Sequence, residues 1–142
     1  MVNVKSVQLK RIVMVKAIVT DAFKNNLIKE LERAVGNIDS QSTQMETQAR
    51  AYMADLKQKN LNEQLAAFKR QLAEERARQS TAKADLLRKI EEAKRLVIGS
   101  EFVQGPLEGP VDVSVGDNLY KKVGAAEIIV KDGIIQELRG LD

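Results

Sequence analysis

Between residues 31 and 93 apolar or small residues recur at alternating steps of four and three, and this rhythm constrains the fold more than any other feature of the chain. It reads Leu31, Val35, Ile38, Ser42, Met45, Ala49, Tyr52 and Leu56, then Leu61, Leu65, Phe68 and Leu72. After a polar middle it returns as Ala82, Leu86 and Ala93. An average spacing of 3.5 residues is the mark of helices that bury one seam against a neighbour. A polar break over 57–60 divides the stretch, so the pattern predicts an antiparallel coiled-coil hairpin over 21–98, with helices at about 21–57 and 61–97. A reversal near Lys57 to Asn60 sets Tyr52 against Leu65, Ala49 against Phe68, Met45 against Leu72, Val35 against Ala82 and Leu31 against Leu86.

The flanks of the seam give a second indication of register. Glu32, Asp39 and Glu46 lie at heptad spacing on the first helix, and Lys69, Arg76 and Lys83 lie at heptad spacing on the second. The expected ion pairs are Glu46 with Lys69, Asp39 with Arg76 and Glu32 with Lys83. Exposed pairs are each worth only about 0–1 kcal/mol, so they report register rather than stability. One uninterrupted helix pairing with other copies of itself would leave these three matches unused.

The two ends of the chain read as strand. Residues 6–17 are rich in Val and Ile with partial alternation, and Thr20 or Asp21 offers an N-cap for the first helix. Asn60-Leu61-Asn62-Glu63 has the form of a capping box that restarts the helix, and Gly99 is placed as a left-handed stop after Val97. Beyond it, Val111, Val113 and Val115 alternate with Asp112 and Ser114, and Gly116-Asp117-Asn118 turns the chain. Asp132-Gly133 between AEIIVK and IIQELR signals a two-residue hairpin turn. Pro106 and Pro110 confine the GPLEGP segment to a loop or a sheet edge.

Strands this few cannot cover their own faces, so both ends are expected in one small sheet or barrel. The expected class is α+β: a long helical hairpin projecting from a β module built from both termini, with residues 1–20 and 99–142 in the module and 21–98 in the hairpin.

The run VDVSVGDN at 111–118, the run IIVKDGIIQELR at 128–139 and MVKAIVT at 14–20 before a long charged helical region resemble the bacterial YlqD-like protein family. That resemblance implies a β, helical hairpin, β layout. It brings no catalytic residue and no cofactor to any position here.

Chemistry is bounded by composition. Among 142 residues there is no His and no Cys, which removes Ser-His-Asp and Cys-His arrangements, thiolate chemistry and the usual zinc ligands. Phosphate-binding glycine motifs are missing as well. Carboxylates remain, with Asp112 and Asp117 beside Gly116 and Glu101 and Glu108 around GPLEGP as candidates, but acids at turns and strand edges are commonplace. The expectation is a protein without enzymatic activity, cofactor or metal. Lys5, Lys10, Arg11 and Lys16 interrupt the N-terminal apolar run, so neither a signal peptide nor a membrane span is expected and the expected location is the cytoplasm.

The first expectation for function is a structural or protein-interaction module that forms homo-oligomers and meets an unidentified protein partner. An uncharged flank of Ala34, Gln41, Gln48 and Gln71 is a candidate for contact with another copy. The alternative is an RNA- or ribosome-associated module, because residues 59–98 carry ten bases against six acids. Arg70, Arg88, Lys89, Lys94 and Arg95 are its candidate contacts, although no aromatic residues interleave them for base stacking. A third reading is a prefoldin-like holdase gripping clients through Met53, Leu56 and Leu61 at the tip. The tip has the single acid Asp55 beside Lys57 and Lys59, unlike the paired acids that hold a metal on the projecting hairpins of transcript-cleavage factors.

Overall fold

The strongest local signals in the chain are its Val- and Ile-rich ends and its long charged middle, and they divide the structure. The computed structural model describes residues 5–141. The elements run β1 (Ser6–Ile18), α1 (Asp21–Gln58), α2 (Asn62–Lys94), β2 (Glu101–Ser114), α3 (Leu119–Val123), β3 (Ala126–Lys131) and β4 (Ile134–Arg139). Two compact units result. One is built from both chain ends, Met1–Lys24 with Leu96–Asp142, and the other from Asn25–Arg95.

The first unit is a mixed four-stranded sheet in the order β2-β1-β3-β4, open rather than closed into a barrel. β1 pairs along its length with β2, antiparallel from Ser6 opposite Ser114 to Ile18 opposite Glu101, with a register shift at Val15/Lys16. Its other edge takes β3 in parallel, only from Val13 to Ala17. Residues 6–12 and 108–114 therefore form a two-stranded ribbon with no third strand. Of the two places expected for GPLEGP, a loop or a sheet edge, the segment takes the edge. β2 is an edge strand, where a missing proline N–H costs no ladder bond if it faces solvent, so Pro106 lies opposite Met14 and Pro110 opposite Lys10. β3 and β4 are joined at Asp132 (φ 50°) and Gly133 (φ 83°), the positive-φ pair that the Asp-Gly dipeptide predicts. The short α3 was not legible in the sequence; Asn118 caps it by accepting the Lys121 N–H.

Thr20 is the N-cap of α1: its Oγ1 accepts the Phe23 N–H at 3.1 Å and donates to Asp132 Oδ1 at 2.7 Å. At the other end of the helical region α2 stops at Lys94, short of the expected Val97. The Gly99 N–H donates to the Val19 carbonyl, and the Val19 N–H to that of Ser100. These bonds draw 97–100 into a turn against the end of β1. Gly99 takes its positive φ of 91° inside that turn rather than as a helix cap.

The second unit is the antiparallel helix pair. The capping box does not form: Leu61 holds the N-cap position of α2 without a side-chain bond. Asn60 instead adopts φ 55°, one of the few residue types that tolerates the left-handed region. Ala49, Leu56, Leu65, Leu72, Ile90 and Ala93 are its buried apolar residues.

Candidate interaction surfaces

Each interface in the helix pair begins with the seam. Leu65 and Leu72 are buried, while Leu31, Val35, Ile38, Met45, Phe68 and Leu86 are half-buried. Tyr52 is 47% exposed and sets its ring edge-on to Phe68, centroids 4.7 Å apart, rather than meeting Leu65. Midway, Ser42 Oγ donates to Gln79 Oε1 at 2.6 Å, a polar layer within the seam.

None of the three expected ion pairs forms; Glu46 and Asp39 each pair one heptad further along α2. Glu46 pairs with Arg76 through two hydrogen bonds of 2.6 Å, and Asp39 with Lys83 at 2.7 Å. Among the described residues neither Glu32 nor Lys69 has an ion-pair partner. The cause is the turn: with Asn60 at its centre, α2 starts later and every facing position moves along it. Charges repeated at heptad spacing still match after such a slip, at two positions instead of three.

Those ion pairs occupy one flank of the helix pair. The other flank holds an open groove of about 670 Å³, lined by Met45, Gln48, Ala49, Tyr52, Phe68, Gln71 and Leu72 with Glu74, Glu75 and Arg78 at its rim. Of the uncharged flank residues, Gln48 and Gln71 line this groove. At the tip Leu56 is 4% exposed and belongs to the last interior layer rather than to a free gripping surface. Of the basic candidates on α2, Arg88, Lys89, Lys94 and Arg95 fall within about two helical turns of one another at its end, and Arg70 lies apart from them. Arg88 pairs with Asp85 and Glu92, and Lys94 with Glu91. Arg70 lies about 37 Å along the helix from Arg95 at 1.5 Å per residue. Arg70, Lys89 and Arg95 have no ion-pair partner among the described residues.

In the sheet unit charge is concentrated on one face. Arg139 in β4 bonds Glu101 in β2 at 2.8 Å and Glu137 at 3.0 Å, and lies 3.7 Å from Glu127, which Lys16 meets at 2.8 Å. β2 and β4 are the two edges of the sheet, so this pair requires strong curling, and Ile129 is left 1% exposed. The Arg139 hydrogen bond holds Glu101 below the usual carboxylate range, as Arg76 does Glu46. Glu137 and then Glu101 raise the Arg139 guanidinium in return.

Both carboxylates have folded values below the ordinary 4.5. Their contribution is therefore present above that pH and lost as the pH falls through the folded values. Thermal scans should show the midpoint dropping between about pH 5 and pH 3, and a Glu46→Gln, Glu101→Gln double variant should show a shallower drop. Of the other candidate acids, Asp117 accepts the Ser114 N–H at 2.8 Å, and Asp112 and Glu108 are exposed on β2.

Arg11 escaped the sequence reading, since it sits in a basic N-terminal run with nothing to mark it. It is 8% exposed, and its Nη2 donates to the carbonyls of Gly124 at 3.0 Å and Gly140 at 3.4 Å. It thus ties the α3–β3 junction and the end of β4 to β1. Its Nε is buried without a partner, so no ligand reaches that atom and part of the bonding gain is offset. Arg11→Met should lower stability by about 1–2 kcal/mol, the net worth of bonds from a charged donor less the orphaned group, read in urea unfolding.

Among the described residues no helix is long and apolar enough to cross a membrane, and no three acidic residues converge as a metal site would need. The model of the YlqD protein family matches residues 7–139. A crystal structure of a protein of unknown function from Synechococcus sp. WH 8102 is similar to this chain. It superposes with a TM-score of 0.83 at 28% identity, covering 94% of this chain and 95% of that one. No curated protein matches the chain.

Proposed function

The chain belongs to the YlqD protein family, and on that footing we propose that it is a non-enzymatic protein-interaction module that works as a homo-oligomer. One observation carries the reading: apolar surface is distributed unequally between the two units. The helix pair buries six apolar residues and, among its described residues, leaves only Tyr52, Leu61 and Leu87 exposed among the large ones. Among its described residues the sheet unit buries four, Ala17, Val19, Ala126 and Ile129, and exposes thirteen large ones. A sheet needs a second layer over its apolar side, and monomeric soluble proteins rarely leave such surface uncovered. Two of the four acids that could have served catalysis support the same reading, since Glu101 is committed to Arg139 and Asp117 to its turn.

Light scattering on the eluting protein tests the proposal. The expected mass is an integral multiple, above one, of 15.8 kDa, with no shift of RNA in a gel at near-physiological salt. A 15.8 kDa species at every concentration, or an RNA complex that weakens steeply with salt, overturns it.

A further inference from the structure

Three stretches of strand in the sheet have an unpaired edge, and they are not alike. β2 carries Pro106 and Pro110 and a register shift opposite Val15/Lys16, and β4 has a register shift against β3 at Ile129/Val130; these are devices that blunt an edge. The third stretch is on β1, because β3 begins only opposite Val13. Residues 6–12 contain no proline and pair with β2 without interruption. The Val115 N–H donates to the Lys5 carbonyl, so the odd-numbered residues of this stretch bond to β2 and the even-numbered ones turn their backbone groups the other way. Gln8 and Lys10 are exposed, and among the described residues nothing bonds their N–H or C=O. α3 passes beside β1 without a backbone bond to it. We propose that this vacant position, in line with β3, takes an extended acidic segment of a protein partner as an added strand. That deepens the protein-interaction reading by giving the partner a chemistry, and it does not depend on the oligomeric state.

The occupant's chemistry follows from what borders the position. Residues 6–12 at about 3.3 Å each give a slot roughly 23 Å long, room for about six residues of extended chain. At its inner end is an open groove of about 470 Å³, with Lys10, Ile12 and Met14 on one side and Val123, Ala126 and Glu127 on the other. The occupied edge of β1 shows which side chains suit this stretch: Val113 lies opposite Val7, Asp112 opposite Gln8 and Val111 opposite Leu9. The open edge presents the same side chains of β1, so an alternation of aliphatic and acidic residues fits there as well. Charge sets the sign of the polar positions. Residues 1–20 hold Lys5, Lys10, Arg11 and Lys16 and no acid. Lys16 is paired with Glu127 and Arg11 is committed to two carbonyls, whereas Lys5 and Lys10 are exposed with no ion-pair partner among the described residues. Glu108 and Asp112 share a face with Lys10 but stand on β2, across β1 from the slot, and form no ion pair with it. β1 of a second copy would add two more lysines to an edge that already has two, and like charges across a strand pair are unfavourable.

The probe is a fluorescent hexapeptide of alternating valine and glutamate, read by anisotropy against its counterpart of alternating valine and lysine. The glutamate peptide should bind saturably and the lysine peptide should not. Lys10→Glu, at an exposed position, should weaken binding about tenfold by setting like charges side by side, while leaving the circular dichroism spectrum unchanged. Hydrogen exchange reads the slot itself. In the free protein the Gln8 and Lys10 amides should exchange fast beside the slow amides of Val7 and Leu9, and the glutamate peptide should slow them. Amides of Gln8 and Lys10 that are slow before any peptide is added would mean that another copy already fills the slot, which overturns the proposal. Binding that leaves those amides fast, or that ignores the sign of the peptide's charge, overturns it too. If the glutamate peptide shows no saturation up to about 1 mM, the strand site falls, while a mass above 15.8 kDa in light scattering still upholds the oligomer. A 15.8 kDa monomer that binds the peptide sinks the oligomer and leaves the strand site standing.

Discussion

Ile129→Ala is expected to lower the stability of the sheet unit by about 4 kcal/mol, the largest effect of any single change in this chain. Truncating a buried Ile or Leu costs about 2–5 kcal/mol, from the lost transfer free energy and from the cavity left behind. Ile129 sits at the upper part of that range because it is 1% exposed and because, among the described residues of that unit, only Ala17, Val19 and Ala126 share its buried apolar status. A domain is stable by only about 5–15 kcal/mol in all, so this one change should bring the sheet close to unfolding near 37 °C.

The measurement is chemical denaturation followed separately by far-ultraviolet ellipticity, which the two long helices dominate, and by exchange of the β3 amides. Loss of β3 protection at low denaturant with helical signal retained is the expected result. A stability change under about 1 kcal/mol would mean that Ile129 is not the centre of the sheet's packing.

Where the sequence was legible, the signal was local. Asp132-Gly133 names its turn because few residues accept two consecutive positive φ values, and β1 is evident because Val and Ile alternate with Lys where no helix pattern competes. The edge position of β2 follows from Pro106 and Pro110, yet the strand itself does not, since the same prolines read equally well as a loop until a partner is seen at Met14 and Lys10. Arg11 was invisible for a related reason. Its burial is created by Gly124 and Gly140, more than a hundred residues away, and nothing near it in the chain announces them. Asn60 was assigned a capping role that its side chain does not play, because Asn serves helix caps and left-handed turns alike. The choice then propagated: a turn centred on Asn60 moves Tyr52 from Leu65 to Phe68 and the partners of Glu46 and Asp39 by a heptad.

That slip identifies what fixes the helix pair in one register, and it supplies the second large prediction. Charges on the flank do not select the observed register, which makes two pairs where the alternative would make three, and apolar seam residues forgive a step, since Leu65 and Phe68 are both acceptable opposite Tyr52. A polar pair within the seam does not forgive it, because displacing Ser42 from Gln79 leaves a hydroxyl and an amide facing apolar neighbours. Replacing both by Leu should raise the stability of the helix pair by about 2 kcal/mol, from apolar burial at a half-buried layer. It should also remove the discrimination between registers.

Two pairs of introduced cysteines read the difference in this cysteine-free chain. Glu46→Cys with Arg76→Cys reports the observed register, and Glu46→Cys with Lys69→Cys reports the slipped one. In the native seam only the first pair should cross-link; with Ser42→Leu and Gln79→Leu both should. If the double leucine protein gains stability yet still cross-links only through the first pair, the turn at Asn60 alone holds the register and the polar layer is a passive substitution in the seam.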